Sequence, residues 1–300
     1  MTAGRRRAAR IPPGVLLGLL GVTLFSFSFP ATKLAVDGLS AGFVSMGRAT
    51  VAGILSAAVL LAARVPWPTR AQWRSLAIVA VGVVLGFPFF TSLALEGETS
   101  AHAAVVTAVM PAATAVAAVL RAGERPSVAF WLASGAGMVA VLAFAFGQGA
   151  GAIGSADLFL LAAVALVGLG YAEGGALARD LGGAHTICWA LILALPVTLP
   201  VAALSAATGD VSGPADAWLG FAYVSLVSMF LGFFAWYAGL ARGGVAKIGQ
   251  IQLAQPVMTL GWSAFLLSEP VGPGTIVTSL VVLVCVVVTQ RTRVVPAAAD

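Results

Sequence analysis

Ten stretches of about twenty apolar residues, separated by short polar turns, leave this chain few folds to choose from. A helix needs about 20 apolar residues to cross the hydrocarbon core of a bilayer. The stretches fall at residues 14–35, 41–63, 73–95, 100–121, 127–146, 156–178, 185–207, 217–240, 245–267 and 272–290. Their connections are rich in Gly, Pro, Asp and Arg, as membrane turns are. Of the 300 residues, 60% are hydrophobic and only 9% are charged, too few to clothe a soluble domain, which would be about a quarter charged. The same figures exclude a disordered chain, which is poor in apolar residues. The expectation is an all-α membrane protein with ten transmembrane helices.

Basic residues give the orientation. Arg5, Arg6, Arg7 and Arg10 precede the first stretch, and no convincing small-residue cleavage site follows it. A retained helix is therefore expected rather than a signal peptide. With the N-terminus in the cytoplasm, fourteen of the sixteen Lys and Arg residues fall in cytoplasmic tails and connections. Lys33 and Arg48 lie in or at the edge of apolar stretches, and the outer loops hold none. One missed or extra helix would scramble this division. It predicts a multi-pass protein of a bacterial-type cytoplasmic membrane with both termini inside. It also accounts for the net charge of +5 without a nucleic-acid partner. Cys188 and Cys285 sit in apolar stretches with no CxxC or Cys/His spacing, so they read as small core residues. No metal and no cofactor is expected.

The chain repeats itself. Pro111 is followed by Glu124 thirteen residues later, Pro256 is followed by Glu269 at the same distance, and the two prolines are 145 residues apart. The same offset pairs Trp73 with Trp218, His102 with Lys247, Thr107 with Gln252 and Thr114 with Thr259. An offset of 143 pairs Asp37 with Asp180. Residues 14–146 and 156–290 thus read as two copies of a five-helix unit, between a basic tail at 1–13 and a second cytoplasmic tail at 291–300. Five is odd, so the second copy must be inverted in the membrane. One pattern held in two opposed orientations gives two arrangements of similar energy, each open to one side, as transporters require.

Ten helices in two inverted repeats, the opening helix Phe25-Ser-Phe-Ser-Phe-Pro-Ala-Thr-Lys33 and the duplicated Pro–Glu pattern resemble the drug/metabolite transporter superfamily, specifically its EamA family. Within that family the overall sequence is most similar to YddG-type exporters of aromatic and other amino acids. The resemblance implies the EamA fold and a transport activity, with the fifth and tenth helices away from a central cavity. Its motifs are mostly structural, so it leaves the substrate open.

Polar side chains inside spans are costly, and their placement suggests where a solute sits. Thr23, Ser26, Pro30 and Lys33 form one stripe of the first helix. Thr107, Pro111 and Thr114 form another in the fourth, and Gln252, Pro256 and Thr259 repeat it in the ninth. The eighth helix adds Ser225, Ser228, Gly232 and Trp236. A mid-helix proline deprives a carbonyl of its donor, so Pro111 and Pro256 read as hinges or cavity walls that offer a polar contact. Phe87, Tyr171 and above all Trp236 are candidates to meet an aromatic ring. Arg48, about two turns into the second span, either meets a substrate carboxylate or snorkels outward. Glu173 either binds a substrate ammonium or carries a proton, or else reaches the inner interface or a donor on a neighbouring helix. Lys33 has Asp37 one turn on, which favours an ion pair at the outer rim.

The function these residues suggest is a secondary transporter that exports small organic metabolites, chiefly amino acids including aromatic ones, by alternating access. No GxxxxGK[ST] loop is present to hold ATP, so the solute gradient or protons would drive it. The expected partners are a small-molecule substrate and the lipid bilayer, with the chain acting as monomer or homodimer. Export of nucleobases, drugs or other metabolites is the alternative within the family. An intramembrane enzyme is the weaker one: HExxH is absent and both histidines lie near span ends.

Overall fold

The structure is a computed structural model and describes residues 11–147, 154–209, 211–267, 273–292 and 294–295. Arg5, Arg6, Arg7, Arg10, Glu269 and Arg293 lie outside these residues.

Almost every described residue is helical. In chain order the elements are α1 (Pro13–Ser26), α2 (Ser28–Val36), α3 (Ala41–Ala62), α4 (Arg70–Val79), α5 (Phe87–Gly97), α6 (Ser100–Val106), α7 (Met110–Ala122), α8 (Val128–Gly147) and α9 (Ser155–Leu181). Then come α10 (Gly183–Thr208), α11 (Ala215–Ala222), α12 (Gly232–Gly243), α13 (Val245–Gly249), α14 (Ala254–Leu267) and α15 (Pro273–Arg291). Two short strands, β1 (Arg125–Pro126) and β2 (Val294–Val295), pair antiparallel and tie the turn after α7 to the end of the chain.

Several pairs of helices are one span interrupted in the middle, and the interruptions repeat. A π-helical segment, Ala80–Gly86, joins α4 to α5, and another, Tyr223–Leu231, joins α11 to α12. A 3₁₀ turn, Thr107–Val109, joins α6 to α7, and another, Gln250–Leu253, joins α13 to α14. Both kinds of break recur in the second half at the spacing of the sequence repeat. Proline explains three of the four. Pro88 cannot donate to Val84, and the ladder widens so that the Phe87 N–H reaches Gly82 O. Pro111 cannot donate to Thr107, and the Met110 N–H takes that carbonyl in a tighter turn. Before Pro256, the Ala254 N–H does the same for Ile251 O and Gln252 O. The carbonyls expected to be free for a solute therefore have local donors.

Among the described residues, seven helical runs are long and apolar enough to cross a membrane: Pro13–Val36, Ala41–Ala62, Arg70–Gly97, His102–Ala122, Ser155–Leu181, Gly183–Thr208 and Ala215–Gly243. The chain is a multi-pass membrane protein built from two repeats. The other three expected stretches are helical as well, as α8, α13 with α14, and α15.

Helices from the two halves interleave: α1 packs on α12, α3 on α10 and α7 on α9. Glycine permits the closest of these approaches. A Cβ on Gly239 of α12 would stand 2.8 Å from the Gly18 nitrogen of α1, and one on Gly14 would stand 2.9 Å from that of Gly243. α8 and α15 pair with each other, and α15 exposes Val277, Leu280, Val284 and Val287. Gly38-Leu-Ser-Ala-Gly42 has the spacing of a serine nucleophile elbow, but it joins two helices rather than a strand and a helix. Ser40 caps α3, its Oγ accepting from the Phe43 N–H at 3.4 Å.

Candidate functional site

Two adjoining cavities lie where the halves meet. The larger is lined from the first half by Phe25, Ser28, Phe29, Thr32, Arg48, Val83, Phe87, Thr91 and Met110. Tyr171, Ser228, Met229, Phe233 and Gln255 line it from the second half. The smaller is lined by Phe29, Ala104, Thr107, Met110, Pro111, Gln252, Gln255, Pro256 and Thr259. Phe29, Met110 and Gln255 border both. The breaks in the helices surround this space, since the residues at or beside them (Val83, Phe87, Thr107, Met110, Pro111, Ser228, Met229, Phe233, Gln252, Gln255 and Pro256) line it. A broken helix turns successive side chains through unusual angles and is a common way to build a site in a membrane.

The cavity chemistry is apolar with a few polar groups. Ser28 and Ser228 bridge the halves, Oγ to Oγ, at 2.7 Å. Gln252 donates from Nε2 to the Met110 sulfur at 3.4 Å, while its buried Oε1 has no hydrogen-bond partner. Arg48 is only 3% exposed. It donates from Nη1 to Thr32 Oγ1 at 3.4 Å, and its buried Nε has no partner. Among the described residues no carboxylate forms an ion pair with it, and no Asp or Glu lines either cavity.

Of the residues singled out from the sequence, Arg48, Phe87, Thr107, Pro111, Tyr171, Ser228, Gln252, Pro256 and Thr259 border the cavities. Ser26, Pro30, Lys33, Thr114, Glu173 and Trp236 do not. The first helix shows why. Its lining residues Phe25, Ser28, Phe29 and Thr32 form a face rotated from the predicted polar stripe. Ser26 instead joins α1 to α14: its carbonyl accepts from Thr259 Oγ1 at 2.8 Å and its Oγ from Trp262 Nε1 at 2.9 Å. Pro30 is buried in α2. Lys33 pairs with Asp37 at 2.8 Å and donates to Leu95 O at 3.3 Å. Thr114 is fully buried against Gly249 with its hydroxyl unpartnered. Trp236 is fully buried behind the cavity wall, packed on Phe25 and Tyr171 with centroids 6.1 and 5.4 Å away. It supports the rings that line the space rather than being one of them.

Glu173 also has a partner. Arg121 of α7 donates to its carboxylate, so the interhelical alternative describes its place. Beside this pair lies a denser cluster that the sequence did not announce. Glu124, 1% exposed, accepts from the Val245 N–H at 2.7 Å, the Ala246 N–H at 2.8 Å and Arg179 Nη2 at 3.1 Å. A carboxylate from the first half thereby caps the helix that opens the matching span of the second. At the far end of the α6–α7 run, His102 meets Asp157 of α9 at 2.7 Å.

Comparison with known proteins then decides the kinship. The profile of the EamA-like transporter family matches twice, over residues 12–146 and 154–290. The chain belongs to this family. It is 44% identical over 278 residues to the uncharacterized transporter YdeK of Bacillus subtilis (strain 168), covering 93% of this chain and 97% of YdeK. It is 25% identical over 247 residues to a probable terminal-alkyne amino-acid exporter of Streptantibioticus cattleyicolor, covering 80% of each. A solved crystal structure at 19% identity superposes with a TM-score of 0.74 over 93% of this chain and 98% of its own, which is a likeness of fold. This EamA chain is thus a membrane transporter, with two adjoining cavities between its repeats.

Proposed function

We propose that the chain is a secondary transporter that exports small organic metabolites, amino acids among them, through the central cavity by alternating access. The observation that carries this reading is the shared cavity. Each half contributes a span broken by a 3₁₀ turn ahead of a proline, Pro111 or Pro256, and a span opened by a π segment. Broken helices around a solute site are hinges on which one half can rock against the other. Ten spans with an inverted second repeat, and both termini at the cytoplasmic face of the inner membrane, complete the proposal. The 25% identical relative, a probable terminal-alkyne amino-acid exporter, supports amino acids as cargo. So do the aromatic rings of Phe25, Phe29, Phe87, Tyr171 and Phe233 in the cavity wall.

The experiment is flux into and out of liposomes that contain only this protein, with labelled amino acids, nucleobases and cationic dyes, with and without a proton gradient. Saturable flux of neutral and aromatic amino acids is expected. Flux confined to nucleobases or dyes would replace the substrate assignment. Cysteine labels at residues 1 and 300 that react from opposite faces would overturn the topology.

A further inference from the structure

We infer that Arg48 is a carboxylate anchor, and that the cavity selects solutes by a single carboxylate on an aromatic or apolar body, the ammonium of an amino acid being dispensable. The inference rests on the reading of the central cavity as the solute site and narrows its substrate class.

A guanidinium stays ionised under all ordinary conditions, and a buried one is costly unless a counter-charge and hydrogen-bond acceptors satisfy it. Four described side-chain cations, Lys33, His102, Arg121 and Arg179, pair with a carboxylate of the protein, and Arg48 is not among them. Arg48 is more buried than any of these four. It sits seven residues into α3, has one long hydrogen bond to a threonine hydroxyl and an Nε with none, and borders the larger cavity. Its counter-charge is therefore to come from the solute. A carboxylate is the matching group: planar, singly charged and able to accept two parallel N–H donors from the guanidinium fork. Thr32, Thr91, Ser28 and Ser228 place neutral hydroxyls in the same cavity, enough for a monoanion and poor for a more highly charged one. The ammonium finds no such complement. With no Asp or Glu among the lining residues, only neutral acceptors and ring faces can meet it. An amine without a carboxylate would bring a second positive charge beside Arg48.

The test is equilibrium dialysis of three radiolabelled probes against the full chain in lipid nanodiscs: 3-phenylpropanoate, phenylalanine and phenethylamine. The first two are expected to bind saturably and to compete with each other, and phenethylamine to bind at least tenfold more weakly. R48Q should lose at least tenfold in affinity for both carboxylates, and R48K should recover part of the loss. The comparison among the three probes needs no variant, so a misfolded R48Q does not leave the inference unexamined. Equal binding of phenethylamine, no saturable binding of either carboxylate, or wild-type affinity in a folded R48Q each overturns it. Flux in liposomes is scored separately. Carboxylate-selective binding without flux would refute the transport reading and leave the anchor standing, whereas flux indifferent to the carboxylate would do the reverse.

Discussion

Two buried charges in this protein are treated in opposite ways. Glu124 is 1% exposed and has three donors around it, two of them backbone N–H groups at the start of α13. Arg48 is 3% exposed and has one long hydrogen bond. Desolvating a charge is costly in either place, yet only at Glu124 does the fold itself supply the compensation. A charge buried for architecture is surrounded by its complement. One left short, at the edge of a cavity between two repeats, points to a complement that arrives from outside.

The largest effect expected from breaking this contrast is at Glu124. Glu124→Ala leaves two N–H groups and Arg179 without their acceptor and should cost about 3 kcal/mol of stability, read by thermal unfolding in detergent. Glu124→Gln keeps one acceptor oxygen and should lose about half as much. Equal stability of all three proteins would mean that the cap contributes nothing.

Arg48 should behave in the opposite sense. Replacing an unpaired buried charge by an apolar side chain of similar length is expected to be neutral or stabilising by about 1–2 kcal/mol. Arg48→Met should therefore unfold at or above the wild-type temperature while binding of 3-phenylpropanoate falls away. A stability loss as large as that of Glu124→Ala would show that Arg48 holds the fold together, and the contrast would collapse.

How far the sequence foretold this contrast differs between its two halves. Hydropathy located the helical stretches, because each carries its own apolar length whatever it packs against. The sequence repeat was equally local, and the 3₁₀ turns before Pro111 and Pro256 begin 143 residues apart, as do the two π segments. Arg48 and Gln252 stood out as polar groups in apolar surroundings, and both border the cavity. Which helix face meets which neighbour could not be read. The polar stripe through Ser26 looked like a cavity wall, but its hydrogen bonds run to Thr259 and Trp262, 233 and 236 residues away in sequence. A 3₁₀ turn advances about 120° per residue instead of 100°, so a uniform helical period misplaces the residues beyond it. Thr114 is turned to Gly249 rather than to the space that Thr107 and Pro111 border. Gln255 and Met110 border both cavities yet carried no signal, since Met is an ordinary core residue and the glutamine lay off the expected stripe. Glu124 was visible as half of a repeat motif, but its role as a cap depends on a helix 121 residues further on.

Glu173 sharpens the comparison from an intermediate position. Its carboxylate is buried, but its partner Arg121 is 47% exposed, so water can take over part of the pair's contribution. Glu173→Gln should cost about 1 kcal/mol, less than the loss at Glu124, and leave carboxylate binding intact because Glu173 lies off the cavity wall. If liposome flux depends on a proton gradient, that dependence should survive in Glu173→Gln. Its disappearance would make Glu173 a proton carrier despite the ion pair, and would move it from the architectural to the functional side.

Lys33 and Asp37 mark the small end of the scale. They form an ion pair one helical turn apart at 2.8 Å, with side chains 28% and 54% exposed. Surface pairs of this spacing contribute about 0.3–0.5 kcal/mol, and screening by salt reduces that further. Lys33 also donates to Leu95 O at 3.3 Å, a bond that water can replace at a partly exposed site. Lys33→Met should therefore shift the unfolding midpoint by little more than the error of the measurement, and leave affinity for 3-phenylpropanoate unchanged at low and high salt. A tenfold loss of that affinity would mean that the anion is drawn toward Lys33 as well as Arg48. The charge shortfall would then belong to Lys33 and Arg48 together, and the contrast with Glu124 would no longer turn on one side chain.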